Sequence, residues 1–275
     1  MECRIVMEIV EIFSYGFMHR ALIAGLLVSI SCAVLGLFMV LRREAMIGHG
    51  LAHVTFGGVA LALLLNRNPL FVALGFGFFA SFAIVFLKDK AGLGGDTGIG
   101  ILSSLGMALG IVLASVAGDF NADLLSYFFG SLLTIGPKEE IIAAILACLV
   151  LLILALFFNE LVYASFDQET AIVSGIKVHI LDIVLVSLSA VTVVIGMKVV
   201  GLLLIAALMV IPAATALIGA TSFKMAVIKA ILVAIISVVG GLIAAVYWNL
   251  PAAGSIVLVS GILLGLKLIF SRANL

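Results

Sequence analysis

Long apolar stretches, separated by short charged or turn-forming breaks, occupy most of the chain. A helix needs about 20 mainly apolar residues to cross a bilayer, and nine stretches approach that length. They cover residues 17–41, 46–65, 69–87, 98–118, 139–158, 180–196, 199–220, 225–247 and 252–270. None shows the strict alternation of a membrane β-strand, and all are rich in Leu, Ile, Ala and Gly. The pattern predicts an all-α integral membrane protein, a polytopic bundle of about 8–9 transmembrane helices.

The composition agrees with this interpretation. Of the 275 residues, 65% are hydrophobic and 10% are charged, and the net charge is zero. So few polar residues could not cover the surface of a soluble domain of this size. A secreted disulfide scaffold, a nucleic-acid binder with a basic surface and an ordinary cytosolic enzyme are therefore excluded. Since no Pro- or Ser-rich linker divides the chain, we predict that residues 1–275 form a single transmembrane domain.

The N-terminal segment, residues 1–16, has apolar residues at three- and four-residue spacing. This spacing is typical of a short amphipathic helix that lies at the membrane interface. Acidic residues stand where a signal peptide would carry basic ones, so we expect the segment to remain on the mature chain. Either Met1 or Met7 could be the natural start.

Lys and Arg positions predict the orientation in the membrane, because cytoplasmic loops carry an excess of these residues. If the break at 159–179 is cytoplasmic, nine crossings place nine of the 14 basic residues on or near the inside. These nine are Arg42, Arg43, Lys88, Lys90, Lys177, Lys224, Lys229, Lys267 and Arg272. The split favours an outside N-terminus and an inside C-terminus.

The second apolar run contains two histidines, His49 and His53, four residues apart. This spacing places both imidazoles on one face of a helix, where they could share a Zn²⁺ or another divalent ion. The alternative is that they form hydrogen bonds between helices or face water near the membrane edge. The spacing also resembles the HExxH motif of zinc proteases, but Gly50 occupies the position of the essential glutamate. An intramembrane hydrolase is therefore disfavoured.

The polar break FDQETAIVSGIKVHI, residues 166–180, contains Glu169, Ala171 and Gly175. This spacing predicts a short amphipathic helix followed by a glycine turn. Such a helix suits docking into a groove on a partner protein. From the spacing alone, an ordinary solvated loop is the favoured interpretation.

Other polar or helix-breaking residues inside apolar runs have simpler interpretations. Pro212 removes a backbone donor and predicts a helix kink that packs against the second run. Asp182, just inside the sixth run, is interpreted as a helix-end cap rather than a residue lining a path. The glycines of residues 91–100 lack the Lys-Ser or Lys-Thr of a phosphate loop, so any ATP hydrolysis would belong to another chain.

Four stretches together resemble one family, the membrane permeases of bacterial and archaeal ABC importers for zinc, manganese or iron(II). They are YGFMHRALIAGLLVS, IGHGLAHVTFGGVAL, FDQETAIVSG and GLLLIAALMVIPAATA, in this order along the chain. In this resemblance His53 matches a family histidine, and His49 stands where many members have aspartate. Both would line the ion path. Two nitrogen ligands in place of an oxygen and a nitrogen favour Zn²⁺ over Mn²⁺.

The resemblance also implies partners and a mechanism. Phe166, Asp167, Glu169, Ala171 and Gly175 match the family's cytoplasmic coupling helix, which docks on the ATPase, so the solvated-loop interpretation is reversed. Two permease copies and two ATP-binding subunits would form the transporter, with an extracytoplasmic protein delivering the ion. The implied mechanism is alternating access, in the plasma (inner) membrane of a prokaryote.

The resemblance implies no cofactor in this chain, no enzymatic activity of its own and no nucleic-acid partner. The alternative function is an ion-coupled secondary metal transporter that works without an ATPase. That mechanism usually needs carboxylates near the middle of the membrane, and essentially none lies well inside an apolar run.

Overall fold

The computed structural model describes residues 16–90, 95–116, 130 and 135–272, and within these residues it contains helices and no β-strand. The eleven helices are α1 (Gly16–Leu41), α2 (Ile47–Leu64), α3 (Pro69–Lys90), α4 (Gly95–Val116), α5 (Pro137–Leu156), α6 (Phe158–Phe166), α7 (Gln168–Val173), α8 (Val178–Val200), α9 (Leu202–Leu217), α10 (Phe223–Trp248) and α11 (Ala252–Arg272). The interfacial helix predicted over residues 1–16 lies, apart from Gly16, outside the described residues.

Eight of these helices are long and apolar enough to cross a membrane. They are α1–α5, α8, α10 and α11. The seventh predicted run forms α9, which has only 16 residues and is therefore about 24 Å long, somewhat less than the thickness of the hydrocarbon core. The predicted all-α polytopic membrane bundle is confirmed.

The two ends of the bundle are defined by contacts between helix termini. At one end, which we call the Lys198 end, Lys198 near the end of α8 pairs with Glu139 at the start of α5, with Nζ and Oε1 3.3 Å apart. At the other end, the ring centroid of Phe223 at the start of α10 lies 5.1 Å from that of Phe38 near the end of α1. We call this the Arg42 end, after the residue that directly follows α1. Because α8 ends at the Lys198 end and α10 begins at the Arg42 end, the short apolar helix α9 connects the two ends of the bundle.

The bundle core depends on small residues that let helix backbones approach closely. A Cβ atom on Gly36 of α1 would lie 1.7 Å from the carbonyl oxygen of Met209 on α9. A Cβ atom on Gly48 of α2 would lie 2.7 Å from the sulfur of the same methionine. Met209 precedes Pro212 by three residues, and Pro212 lies inside α9. The part of α9 just before the proline therefore packs against both α1 and α2.

Candidate functional site

Helix α2, which carries the two histidines, is closely packed between α3 and α4. A Cβ atom on Gly106 of α4 would lie 2.5 Å from Cα of Val54, and one on Gly58 would lie 3.0 Å from Cα of Ala73 on α3. The helix is continuous from Ile47 to Leu64. The glycines of this helix therefore allow close packing against its neighbours, and the helix is not unwound at them.

His49 and His53 contact each other through the same ring atom, Nε2. Their Nε2 atoms are 3.0 Å apart, and the rings are nearly perpendicular, at 85°, with centroids 4.4 Å apart. Two nitrogens bound to one Zn²⁺ at about 2.0–2.1 Å, in tetrahedral or cis-octahedral positions, lie roughly 2.9–3.4 Å apart. This 3.0 Å contact is a hydrogen bond, in which the Nε2–H of one imidazole donates to Nε2 of the other. The distance also fits two ligands on one ion, and an ion that bound both nitrogens would displace the shared proton.

The surroundings of the pair are asymmetric. His49 is exposed and His53 is half-buried. The Nδ1 atom of His53 is buried and has no hydrogen-bond partner. In the part of the chain that the structure describes, no group of three or more His, Cys, Asp or Glu side chains could hold a metal ion. Two ligands leave coordination positions for water, which suits an ion in transit better than a closed structural site.

The segment after α5 folds into two short helices, α6 and α7, joined at Asp167. The Asp167 carboxylate caps α7 by accepting hydrogen bonds from the Thr170 hydroxyl at 2.5 Å and from the Thr170 backbone N–H at 2.9 Å. These two bonds, the hydroxyl bond first, lower the pKa of Asp167 below its ordinary value, because both stabilise the charged form. The carboxylate is therefore held in its acceptor-only, ionised state.

Helix α7 ends in a Schellman motif, in which two backbone bonds satisfy the last carbonyl groups. Ile176 N–H donates to the Ala171 carbonyl, and Gly175 N–H donates to the Ile172 carbonyl, both at 3.0 Å. Gly175 has a φ of +84°, a conformation that side chains disfavour. A Cβ there would meet nothing within 4 Å, so backbone conformation, not space, favours glycine. The predicted short helix followed by a glycine turn is present.

This two-helix segment presents apolar side chains outward. Val173 is 88% exposed and Phe166 is 64% exposed, whereas Ala171 is fully buried. Glu169 is also exposed. The five residues predicted for coupling therefore divide into two sets. Asp167, Ala171 and Gly175 shape and anchor α7, while Phe166 and Glu169 face outward.

A network of four charged residues lies beside this segment at the Arg42 end, and we call it the charged cluster. Its members are Arg42, Glu44, Lys88 and Asp182. Asp182 accepts from Arg42 Nη1 through Oδ1 and lies 3.1 Å from Lys88 Nζ through Oδ2. Lys88 Nζ is also 2.6 Å from Glu44 Oε1. The side chains of Arg42, Asp182 and Glu44 are 7%, 6% and 8% exposed, so three of the four charges are taken out of solvent.

The charged cluster shows that the cap interpretation of Asp182 was wrong. Asp182 is the fifth residue of α8, and Lys177 occupies the N-cap position without a side-chain cap bond. The Asp182 carboxylate instead joins α8 to Arg42 and Lys88. The sequence contained a signal for this, since a carboxylate inside an apolar run is costly unless a cation pairs with it. It contained nothing that identified the two cations.

The chain is similar to known transport proteins over nearly its whole length. The model of a family described as "ABC 3 transport family" matches residues 14–271. The high-affinity zinc uptake system membrane protein ZnuB of Haemophilus influenzae is 34% identical over 261 residues, which are 95% of this chain and 100% of that protein. The manganese import system permease protein ScaB of Streptococcus gordonii is 34% identical over 252 residues, 90% of this chain and 89% of that protein.

A solved structure has the same fold. The structure described as PsaBC from Streptococcus pneumoniae in complex with Fab matches with a TM-score of 0.82 at 32% identity. The match covers 95% of this chain and 95% of the chain in that structure. The helix arrangement described above is therefore shared with an experimentally determined protein.

Proposed function

The chain belongs to the ABC 3 transport family, and from this premise we propose that it is the membrane-spanning permease of an ATP-driven importer of divalent transition-metal ions, with zinc as the preferred ion. Membership in this family confirms that the chain is a transport component rather than an enzyme. A multi-pass membrane protein follows from the same membership and from the eight long apolar helices.

The observation that carries the proposal is the convergence of His49 and His53. Their Nε2 atoms, 3.0 Å apart, can both bind one ion as it passes along α2. Similar proteins include a zinc uptake protein and a manganese import protein, so the choice of metal rests on the ligands of this chain. Two imidazole nitrogens suit Zn²⁺ better than Mn²⁺, which favours carboxylate and water oxygens.

We assign the Arg42 end to the cytoplasm and residues 159–179 to the coupling segment. This segment exposes Phe166 and Val173 beside a well-formed α7, as a docking helix requires. His49 and His53 are the third and seventh residues of α2, so by helical rise they lie within about 10 Å of the Arg42 end of that helix. The pair would therefore lie in the inner part of the ion path.

The assembly in this proposal contains two copies of this permease domain, residues 1–275, and two ATP-binding subunits, in the plasma membrane of a prokaryote. An extracytoplasmic metal-binding protein delivers the ion. The partner subunits bind ATP, and this chain needs no cofactor of its own. ATP binding moves the coupling segments, and the membrane helices then switch the path from outside to inside.

The alternative, a secondary metal transporter driven by an ion gradient, lacks a suitable carboxylate in the described residues of the bundle. Such carriers use intramembrane carboxylates that gain and lose a proton or bind a sodium ion. The buried carboxylates at the Arg42 end, Glu44 and Asp182, are occupied by Lys88 and Arg42. This favours the ATP-driven mechanism.

The test is metal uptake by proteoliposomes that contain this chain and its ATP-binding partner, with Zn²⁺, Mn²⁺ and Fe²⁺ compared in the presence and absence of ATP. We expect ATP-dependent uptake, highest for Zn²⁺. His53→Ala abolishes uptake and leaves ATP hydrolysis intact, and His49→Ala does so less strongly, because each variant removes one of two ion ligands. Uptake that follows a proton or sodium gradient without ATP would refute the mechanism, and wild-type uptake in both variants would refute the path.

The same preparation tests the coupling segment. Glu169→Arg reverses an exposed charge of the docking surface, so we expect it to weaken co-purification of the ATP-binding subunit and to reduce both hydrolysis and uptake. Gly175→Val, which strains the turn after α7, acts in the same direction. Unchanged co-purification and transport in both variants would contradict this assignment.

A further inference from the structure

The charged cluster lies where the coupling segment, the start of α2 and the start of α8 meet. Glu44 alone makes contacts with three helices, α1, α2 and α3. Its N–H donates to the carbonyl of Met39 on α1 at 2.8 Å, its carbonyl accepts from Ile47 N–H in the first turn of α2 at 3.0 Å, and its carboxylate binds Lys88 of α3. His49 follows two residues after Ile47. The position of Glu44 therefore sets the position of the first turn of α2.

The opposite side of the cluster is attached to the coupling segment. Arg42 Nε–H donates to the hydroxyl of Ser165 on α6 at 3.0 Å, and that hydroxyl donates to the Leu161 carbonyl at 2.6 Å. Asp182 lies on α8, which begins shortly after α7. A cavity of about 320 Å³, lined by Arg42, Glu44, Lys88 and Ser165 among others, separates part of α6 from the loop before α2. The polar contacts between α6 and the loop before α2 are thus concentrated in the charged cluster.

Buried ion pairs of this kind resist separation. A charge that leaves its partner in a low-dielectric site loses several kcal/mol of compensation, by the usual magnitude for buried pairs. Residues joined in this way move together or exchange between discrete arrangements, which is the physical requirement for coupling between two sites. A movement of α8 therefore reaches Glu44 through Asp182 and Lys88, and a movement of α6 reaches the loop before α2 through Ser165 and Arg42.

We propose that Asp182 and Lys88 are positioning residues for transport, which transmit movement of the coupling segment to the start of α2 and thereby to the histidine pair. This inference rests on the proposed function. It adds a physical connection between the site where the ATP-binding subunit docks and the site where the ion passes. Neither residue contacts the ion.

A competing explanation is that the cluster only compensates charge and holds the helices together. A neutral double variant, Asp182→Asn with Lys88→Met, separates the two explanations. It removes one charge of each sign, so Arg42 and Glu44 keep the cluster neutral, but it breaks the connection between α8 and α2. We expect this variant to be less stable than the wild type, because Arg42 and Glu44 each lose an ion-pair partner. It should still fold and bind the ATP-binding subunit, which unfolding in detergent and co-purification check before transport is compared. We also expect the number of ions transported per ATP hydrolysed to fall by about tenfold, within the usual range of coupling between two sites.

The matched control is the ion pair at the other end of α8, removed by Lys198→Met with Glu139→Gln. This variant also removes one charge of each sign from α8 and a neighbouring helix, and we expect transport per ATP to remain at the wild-type value. Lys88→Arg, which keeps the positive charge and can donate to both carboxylates, should retain most of the coupling. Wild-type transport per ATP in the neutral double variant would overturn the proposal.

A second measurement does not depend on transport. Hydrogen exchange of the amides at residues 46–50 is compared before and after the ATP-binding subunit and ATP are added to the full chain. We expect a change in exchange in the wild type and in the Lys198 and Glu139 control, and none in the Asp182 and Lys88 variant. The same change in all three proteins would overturn the proposal even if the transported ion were not a metal. Absence of ATP-dependent metal uptake by the wild type, in contrast, would overturn only the proposed function.

Discussion

The two ends of α8 carry ion pairs of very different character. At the Arg42 end, Asp182 is 6% exposed and binds two cations, Arg42 and Lys88. At the Lys198 end, Lys198 binds one carboxylate, that of Glu139, and the two side chains are 40% and 29% exposed. The first network joins α8 to the ends of α1 and α3, whereas the second, among the residues that the structure describes, joins α8 to α5.

This difference shows that burial, rather than the presence of an ion pair, decides what a charge contributes. An exposed pair is screened by water and salt, and it typically contributes no more than about 1 kcal/mol. A buried pair contributes little compared with an apolar replacement, but loss of one partner leaves an uncompensated charge and is strongly destabilising. The Arg42 end should therefore be sensitive to single substitutions, and the Lys198 end should tolerate them.

The largest effect is expected for Arg42→Ala. The substitution removes one of the two cations that pair with the buried Asp182 carboxylate, so that only Lys88 remains. It also removes the hydrogen bond that Arg42 donates to the Ser165 hydroxyl. The free energy of unfolding should therefore fall by about 3–5 kcal/mol. Thermal unfolding of the purified chain in detergent measures this. The neighbouring Arg43→Ala is the control, because Arg43 is exposed. Equal stability of the two variants would show that the charged cluster does not stabilise the Arg42 end.

A smaller effect is expected for Ser165→Ala. The Nε–H of Arg42, which now donates to the Ser165 hydroxyl, would be left without that acceptor, and an unsatisfied buried donor costs about 1–3 kcal/mol. Ser174→Ala is the matched control, since its contact with the Tyr163 hydroxyl, 3.3 Å long, is exposed. The same detergent unfolding assay applies, and a Ser174 variant as unstable as the Ser165 variant would contradict the difference in burial.

The smallest effect is expected for Lys198→Met. The pair with Glu139 is partly exposed, so the free energy of unfolding should change by less than about 1 kcal/mol. The difference from wild type should shrink further as salt is raised. A large, salt-independent loss would mean that the Lys198 end is as dependent on its ion pair as the Arg42 end.

Some residues could be interpreted correctly from the sequence, and others could not. The four-residue spacing of His49 and His53 is a helical spacing, so their shared face followed directly, and their Nε2 atoms do lie within hydrogen-bond distance of each other. Asp182 was misinterpreted, because a cap needs only local neighbours, whereas its actual partners, Arg42 and Lys88, are 140 and 94 residues away in the sequence. Local spacing contains no information about contacts at that separation.

The sequence by itself determined that this chain is a bundle of membrane helices, where most of those helices begin and end, and which short helix is followed by a glycine turn. These features depend on hydrophobic length and on backbone preferences of single residues. Only the tertiary structure decided that α2 is continuous, that Met209 packs against Gly36 and Gly48, and that four charges from different parts of the chain form one cluster. Such features depend on which helix faces meet in space, because buried charges and closely approaching backbones require specific partners.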